Sequence, residues 1–235
     1  MSPLTLLITT LIGYLFGSLP MGLIYVRLFT GQDVREFGSG RTGSTNVMRA
    51  AGGRVAVITG ISDGFKAAFA VWIARWLREQ GLVMDTPWAE ALAALAAILG
   101  HNYSIFIGFK GGAGGGPTVG ATTALWGWSW PILVPIGLLV WYFIGYASLT
   151  TLSFAVTAIA IMTVRYLLGH SPVEYIYFAL AALGLCLWSL RPNLRRLMEG
   201  TERLHGYRAR KKCLADQTTE MSPSPSVQDK RLPLE

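Results

Sequence analysis

The chain has 235 residues, of which 52% are hydrophobic and only 14% are charged, and its formal net charge at pH 7 is +7. That is far more apolar surface than one soluble core of this size needs, so the composition excludes an ordinary soluble domain. We therefore expect an integral membrane protein.

Seven apolar runs, each bounded by charges, glycine or proline, follow one another along the chain. They are residues 4–29, 55–77, 88–107, 117–130, 131–146, 149–168 and 173–190. A full crossing takes about 20 residues, so the two runs that flank Pro131 are short and are either tilted, re-entrant or one broken element. The sequence predicts an all-α integral membrane fold with about seven transmembrane helices, and six is the alternative count.

Lysine and arginine predict the orientation of these helices. With the N-terminus outside, six of them fall in the inner loops and ten in the inner C-terminal segment, against three in the outer loops. Such an excess is typical of the cytoplasmic side. We expect a multi-pass protein of the cell inner membrane with its C-terminus in the cytoplasm. Residues 1–214 are predicted to form the membrane domain and residues 215–235, which are poor in large apolar side chains, a disordered cytoplasmic tail.

A glycine-rich polar stretch lies between the third and fourth apolar runs. Gly100-His101-Asn102-Tyr103 is followed by Phe109-Lys110-Gly111-Gly112-Ala113-Gly114-Gly115-Gly116, which has five glycines in its last six positions. Glycine allows successive backbone N–H groups to point the same way, and Lys110 and His101 add cationic or proton-carrying groups. The stretch therefore predicts a site for an anion, above all a phosphate.

A second polar loop, residues 38–49, repeats this chemistry with different side chains. Ser39, Thr45 and Asn46 supply hydroxyls and an amide that orient a ligand, while Arg41 and Arg49 can grip a phosphate with paired donors. Taken alone, such a loop is also typical of an ordinary flexible connector. Two such loops on one membrane face favour phosphate binding.

Several other polar groups fall at the same predicted membrane face. Asp63 and Lys66 share a helix face, either as a self-satisfied ion pair or as part of a site. Ser148 and residues 193–202 also lie at inner helix ends, so all these groups are expected to form one site. The basic run 203–212 is expected to meet anionic headgroups rather than nucleic acid.

Ordered motifs run through nearly the whole chain. They are Gly17-Ser18-Leu19-Pro20, Gly38-Ser39-Gly40, Gly43, Thr45-Asn46, Arg49, Asp63-Gly64-Phe65-Lys66, Gly100-His101-Asn102-Tyr103, Phe109-Lys110-Gly111-Gly112, Gly114, Gly120, Tyr146-Ala147-Ser148-Leu149, Asn193-Leu194-Arg195-Arg196-Leu197 and Gly200-Thr201-Glu202. With these motifs the sequence resembles the bacterial acyl-phosphate:glycerol-3-phosphate acyltransferases of the PlsY type. No one motif would make the resemblance specific, but their number and order do.

The resemblance implies a small seven-helix enzyme with its active site at the cytoplasmic membrane surface. Such an enzyme transfers a fatty acyl group from acyl phosphate to the 1-hydroxyl of glycerol 3-phosphate, giving lysophosphatidic acid and phosphate, with no cofactor, metal or nucleic acid. Matching positions imply catalytic roles for Lys66, His101, Lys110, Ser148, Asn193 and Glu202. They imply substrate binding by Ser39, Arg41, Thr45, Asn46, Arg49, Gly111, Gly112 and Gly114.

The residues themselves agree that a dedicated protein base is missing. None of His101, His170 and His205 is followed by the aspartate of a His-x4-Asp acyltransferase pair. Catalysis would then depend on positioning two anions and on stabilising negative charge. The alternative is a non-catalytic phosphate or lipid-headgroup binder, or a transporter, on the same scaffold. A transporter is expected to have inverted repeats and midplane polar residues, which this sequence does not display.

The sequence also departs from the family pattern. Ala113 stands where the family has lysine, Gly115-Gly116-Pro117 replaces Val-Ala-Thr, Arg41 replaces asparagine, Ser44 replaces alanine, and Leu190 replaces a frequent histidine. Two interpretations follow. Either Arg41 supplies across the site the charge that Ala113 lacks, or the activity has changed or been lost.

Overall fold

The structure is a computed structural model that describes residues 3–82, 87–209 and 211. Within these residues the fold is a bundle of eight α-helices. The helices are α1 (Pro3–Ser18), α2 (Met21–Thr30), α3 (Ser44–Glu79), α4 (Pro87–Asn102), α5 (Gly115–Leu125), α6 (Trp130–Leu139), α7 (Ala147–Leu167) and α8 (Glu174–Met198). A π-helical turn, Val140–Ile144, extends α6. The all-α prediction is confirmed, while the predicted tail, residues 215–235, lies outside the described residues.

Six helical segments of the described chain are long and apolar enough to cross a membrane. They are Leu6–Thr30, Ser44–Glu79, Pro87–Ile107, Gly127–Ile144, Ala147–Leu167 and Glu174–Met198. The run predicted at residues 117–130 instead gives α5, whose 11 residues extend only about 16 Å, against roughly 30 Å of hydrocarbon. Most of α5 is buried among the other helices, and this burial allows a short segment at membrane depth.

The chain nevertheless passes seven times between two ends of the bundle. α5 begins beside the end of α4, where Gly114 lies against Asn102. Near the other end of α5, the carbonyl of Ala124 accepts a hydrogen bond from Arg75, late in α3. We call the end with Asn102 and Gly114 the site end and the end with Arg75 the opposite end.

Glycines allow the helices to pack closely. A Cβ at Gly17 would lie 2.1 Å from the carbonyl oxygen of Ala97, so α1 and α4 touch through their backbones. Likewise, a Cβ at Gly120 would lie 1.9 Å from the carbonyl oxygen of Gly64, which joins α5 to α3. Small residues at helix crossings are typical of membrane bundles, where van der Waals packing supplies much of the association energy.

The first half of α3 corrects the prediction that residues 38–49 form one loop. Helix begins at Ser44, and the backbone breaks at Gly52, where φ is 82° and ψ is 174°. Residues 44–51 are helical because they bury an apolar side chain, Val47, against Leu23 and Val26 of α2. Glycine at position 52 then allows the chain to turn into the membrane-spanning part of α3.

Candidate active site

Asn46 organises the polar loop before α3 from within. Its side chain is 2% exposed, and its Nδ2 donates hydrogen bonds of 2.9 Å to the carbonyls of Val34, Phe37 and Arg41. Its Oδ1 accepts a 3.1 Å bond from the backbone N–H of Ser39. The amide is therefore used inside the loop, so Asn46 shapes the site by fixing the backbone around it.

Arg41 joins three segments at the site end. Its Nη1 donates 3.0 Å hydrogen bonds to the carbonyl of Gly112 and to Oγ of Ser189, and its Nη2 also contacts the Ser189 carbonyl. Burial lowers the pKa of the Arg41 guanidinium from its usual value. The bond to Gly112 places this charge beside Ala113, the position at which the sequence lacks the expected lysine.

The glycine loop closes over the end of α4. The N–H of Gly111 donates to the carbonyl of Asn102 at 3.1 Å, and the N–H of Gly112 donates to that of His101 at 2.9 Å. These two N–H groups are therefore already hydrogen-bonded within the protein and are not among the glycine N–H groups that could bind an anion. A Cβ at Gly112 would lie 1.9 Å from Nε2 of His101, so glycine is needed for this close contact.

Lys66, His101 and Asp63 form a buried group below the glycine loop. Lys66 Nζ lies 2.9 Å from Asp63 Oδ1, and His101 Nδ1 lies 3.4 Å from the same oxygen. Lys66 also donates a 2.6 Å bond to the carbonyl of Leu19 in the break between α1 and α2, and the same carbonyl accepts a 3.0 Å bond from the N–H of Met21. Asp63 thus compensates the charge of Lys66 inside the wall of the site.

Arg49 occupies the boundary between α3 and the segment after α8. Its Nη1 donates a 3.3 Å bond to Oδ1 of Asn46, and its Nη2 lies 2.7 Å from Nε2 of His205. Arg203 lies nearby, since a Cβ at Gly38 would be 3.0 Å from its Nη1 and 3.1 Å from Cδ of Arg49. The basic run predicted to meet headgroups therefore brings at least one guanidinium to the site.

Glu202 is surrounded by cations and by one amide. Its Oε1 accepts a 2.9 Å bond from Nδ2 of Asn193, and its Oε2 lies 3.4 Å from Nε of Arg196. Glu202 also attracts Arg41 and Arg49 electrostatically. Arg203 follows Glu202 in the chain, so four arginines share this region with the carboxylate of Glu202, and the region carries excess positive charge.

The remaining predicted residues lie at the margin of this group. Lys110 and Ser39 are exposed, and Thr45 is partly buried at the start of α3. Ser148 is fully buried in the first turn of α7, and its Oγ has no hydrogen-bond partner among the described residues. Gly114, with φ of 91°, allows the chain to enter α5.

Sequence reasoning missed three contributors to the site, Asn102, Ser189 and Arg203. Asn102 is buried, and within the described chain neither amide atom has a partner. Its place in a glycine-rich motif was the only signal available. Ser189 lies within an apolar run, and only the folded chain brings it to Arg41.

Comparison with known proteins agrees with these features. The family model for glycerol-3-phosphate acyltransferase matches residues 7–200. The chain is 40% identical over 207 residues to a glycerol-3-phosphate acyltransferase of Thermus thermophilus, which covers 86% of this chain and 96% of the relative. A relative of that name from Rubrobacter xylanophilus is 36% identical over 202 residues, covering 85% of this chain and 94% of its own length.

Solved structures give the same result. The glycerol 3-phosphate form of PlsY (YgiH), an integral membrane glycerol 3-phosphate acyltransferase, superposes with a TM-score of 0.72 at 28% identity, covering 86% of this chain and 96% of that one. Its lysophosphatidic acid form has a TM-score of 0.71 at 26% identity, with 86% and 95% covered. The chain belongs to the glycerol-3-phosphate acyltransferase family.

Proposed function

We propose that this multi-pass membrane acyltransferase moves a fatty acyl group from acyl phosphate to the 1-hydroxyl of glycerol 3-phosphate. The products are lysophosphatidic acid and inorganic phosphate. The observation that carries the proposal is that Arg41, Arg49, Arg196 and Arg203 lie together at the site end, in the region of Glu202. Excess guanidinium charge with free donor edges suits the two phosphate-bearing substrates that this reaction requires.

Arg196 pairs with Glu202, and the other three arginines divide into two groups, one for each substrate. Arg49 and Arg203 stand between the first polar loop and the segment after α8, where a soluble phosphate enters from the aqueous side. Arg41 stands beside Ala113 and the beginning of α5, whose first N–H groups have no intrahelical acceptors. We assign glycerol 3-phosphate to the first group and the phosphate of the acyl donor to the second.

In the reaction, the 1-hydroxyl oxygen of glycerol 3-phosphate attacks the acyl carbon. The new C–O bond forms, the bond from that carbon to the phosphate oxygen breaks, and the hydroxyl proton passes to a phosphate oxygen. Arg41 and the N-terminus of α5 stabilise the negative charge on the departing phosphate. Holding both substrates side by side supplies the rest of the rate enhancement.

His101 does not need to act as a base in this scheme. Its Nδ1 faces Asp63, and its Nε2 lies against Gly112. We therefore assign to His101, together with Lys66, the task of supporting the glycine loop. Asn193 holds the carboxylate of Glu202, and the exposed Lys110 attracts anionic substrates. We assign the buried Ser148 to the side of the acyl donor. Thr151, one helical turn after it, lies against Gly115 at the start of α5.

The direct test measures phosphate release and lysophosphatidic acid formation by the purified protein in lipid nanodiscs. With acyl phosphate and glycerol 3-phosphate together, both products should form in equal amounts. With acyl phosphate alone, phosphate release should fall to a small fraction of that rate. Saturable binding of glycerol 3-phosphate without either product would instead support a non-catalytic phosphate-binding protein.

We also propose that the site end faces the cytoplasm, as the excess of lysine and arginine on that side suggests. Gly53→Cys lies at the site end and His170→Cys at the opposite end, and both positions are exposed. In intact cells, an impermeant thiol reagent should label the cysteine at 170 and leave the one at 53 unlabelled until the membrane is permeabilised. The opposite labelling pattern would contradict a cytoplasmic site.

A further inference from the structure

The segment after α8, residues 199–209, crosses back over the site end, and we call it the strap. We propose that His205 on this strap is a positioning residue for Arg49, holding the guanidinium ready for the phosphate of glycerol 3-phosphate without adding a counter-charge of its own. This inference rests on the proposed function, because it assigns a role to a side chain that supports the acceptor site.

The strap is fixed to the turn between α6 and α7. The N–H of His205 donates a 2.8 Å hydrogen bond to the carbonyl of Gly145, and Leu204 forms an antiparallel bridge with Tyr146. The imidazole of His205 stacks on the indole of Trp141, with ring centroids 6.4 Å apart and planes inclined by 21°. The backbone and the ring are therefore both held, so the direction of the imidazole is determined.

The contact between His205 and Arg49 has only one possible polarity. Arginine has donors and no acceptor, so Nε2 of His205 must accept the hydrogen bond over the 2.7 Å that separates it from Arg49 Nη2. A ring nitrogen can accept only in the neutral imidazole, with its proton on Nδ1. The arrangement therefore needs an uncharged His205.

The surroundings of His205 favour that uncharged form. Burial, followed by the charges of Arg49 on α3 and Arg203 on the strap, lowers the pKa of His205 to about 4. The turn against which the ring packs contributes the uncharged Trp141, while Arg208 on the strap donates to the carbonyl of Ile144. At neutral pH the imidazole is thus a neutral acceptor.

Neutral acceptors on Arg49 have a specific consequence for anion binding. The second contact of the guanidinium is also with a neutral group, Oδ1 of Asn46. A carboxylate at either place would fix the guanidinium equally well, but it would repel an incoming phosphate. Two neutral acceptors orient the positive charge and leave it available for the substrate.

Three substitutions separate the ring, the hydrogen-bond acceptor and the neutral charge of His205. His205→Phe keeps a ring on Trp141 but removes the acceptor, His205→Gln supplies a neutral acceptor, and His205→Glu supplies a charged one. The matched control is His170→Phe, since His170 is exposed at the opposite end. Steady-state kinetics in nanodiscs would give kcat and the KM for each substrate, and the thermal unfolding midpoint would verify that each variant is folded.

We expect His205→Phe to raise the KM for glycerol 3-phosphate about tenfold or more, the scale of one charge-assisted hydrogen bond, with little change in the KM for acyl phosphate. His205→Gln should remain within about threefold of the wild type, and His205→Glu should raise the KM for glycerol 3-phosphate at least as much as His205→Phe. His170→Phe should have wild-type kinetics.

Two results would overturn the proposal in a protein that shows turnover. One is a wild-type KM for glycerol 3-phosphate in His205→Phe or His205→Glu. The other is equal damage to both substrates in His205→Phe and His205→Gln, which would indicate a purely structural role. If His205→Phe does not fold, the KM values of His205→Gln and His205→Glu for glycerol 3-phosphate test the proposal by themselves. Absence of turnover in the wild type would refute the proposed function rather than this inference.

Discussion

The two ends of the bundle use the same types of side chain in opposite ways. At the opposite end, Glu90 is buried, and its Oε2 accepts hydrogen bonds of 2.6 Å from Arg75 and 2.9 Å from Tyr175. Its Oε1 lies 3.0 Å from Nη1 of Arg78. Every charge in this cluster has a direct partner, so the cluster ties α3, α4 and α8 together.

At the site end, Arg196 pairs with Glu202, but two other arginines are held by neutral groups. Arg41 donates to Gly112 and Ser189, and Arg49 is held by Asn46 and His205. Polar atoms such as Oδ1 of Asn193 also remain buried without a partner in the described chain. The difference teaches that a charged cluster stabilises the fold when its charges are paired, and prepares a ligand site when cations are oriented but not neutralised.

The largest expected effect tests the structural side of this comparison. Glu90→Gln would remove the buried counter-charge of Arg75 and Arg78, whose own side chains are 31% and 24% exposed, so we expect a cost of about 3 kcal/mol of stability, at the low end for a broken buried pair. We expect a marked fall in the thermal unfolding midpoint while kcat and both KM values of the folded protein stay near those of the wild type.

The control for this prediction is an ion pair at the surface. Glu199→Gln breaks the exposed pair between Glu199 and Arg195, whose atoms lie 2.8 Å apart, and should change stability by less than about 1 kcal/mol. A catalytic defect in folded Glu90→Gln protein would contradict the division between the two ends.

The second prediction tests the ligand-binding side. Arg49→Ala should lower kcat/KM for glycerol 3-phosphate by roughly a hundredfold or more, because a charge-assisted contact to a desolvated phosphate is hard to replace. Its unfolding midpoint should remain close to that of the wild type. Arg54→Ala is the matched control, since Arg54 is exposed on the same helix. Similar small losses in both variants would mean that Arg49 does not meet the substrate.

The third prediction concerns Arg41 and Ala113. Arg41 bonds to the carbonyl of Gly112, so its guanidinium lies beside position 113. Arg41→Asn should reduce kcat/KM about tenfold to a hundredfold, from a contact contributing on the order of 1.5–3 kcal/mol. Adding Ala113→Lys should recover part of the loss by returning a positive charge to the glycine loop.

A double-mutant cycle on these two positions checks this compensation. The recovery should be partial, because lysine at position 113 cannot replace the bonds from Arg41 to Ser189. Strictly additive effects, or a neutral Arg41→Asn, would show that the two positions address different groups. The absent lysine would then be uncompensated in this protein.

The fold was largely predictable from the sequence because the membrane requires long apolar runs. Each predicted run corresponds to helix, and even the short run at residues 117–130 is matched by α5. The helical residues 44–51 were missed because glycine, serine and threonine resemble a loop. The burial of Val47 in one apolar cluster with residues of α2 favours helix here, and this tertiary contact is not visible in the sequence.

The candidate site was predictable as a set of residues and not as a set of contacts. The polar residues at one predicted face do converge. The sequence did not indicate, however, that the side-chain amide of Asn46 would hydrogen-bond to backbone carbonyls of its own loop rather than to a ligand. Nor did it indicate that His205, six residues beyond Glu199, would return to Arg49. Both contacts depend on a chain reversal, and no periodicity in the sequence encodes such a reversal.

The smallest expected effect is a pH dependence of stability that originates at His205. Its pKa is about 4 in the folded protein and about 6.5 in an unfolded chain, so the unfolded state binds more protons between these values. The contribution of the neutral His205 to stability is therefore fully present above about pH 6.5, and it declines as the pH falls toward 4. Because solvent screens part of this effect, we expect about 1–2 kcal/mol over the whole window.

The measurement compares unfolding midpoints of the wild type and His205→Gln at pH 7.5 and pH 5, where most carboxylates stay ionised. The wild type should lose more stability than His205→Gln over this range, since glutamine takes up no proton and keeps a neutral acceptor for Arg49. The kinetics should not follow, because a pKa of about 4 leaves His205 largely neutral in the folded protein at pH 5, so the KM for glycerol 3-phosphate should change with pH alike in the two proteins. Equal losses of stability in the two proteins would mean that folding does not lower the pKa of His205, and the contrast between paired and merely oriented charges would then have to rest on Arg49 and Arg41 alone.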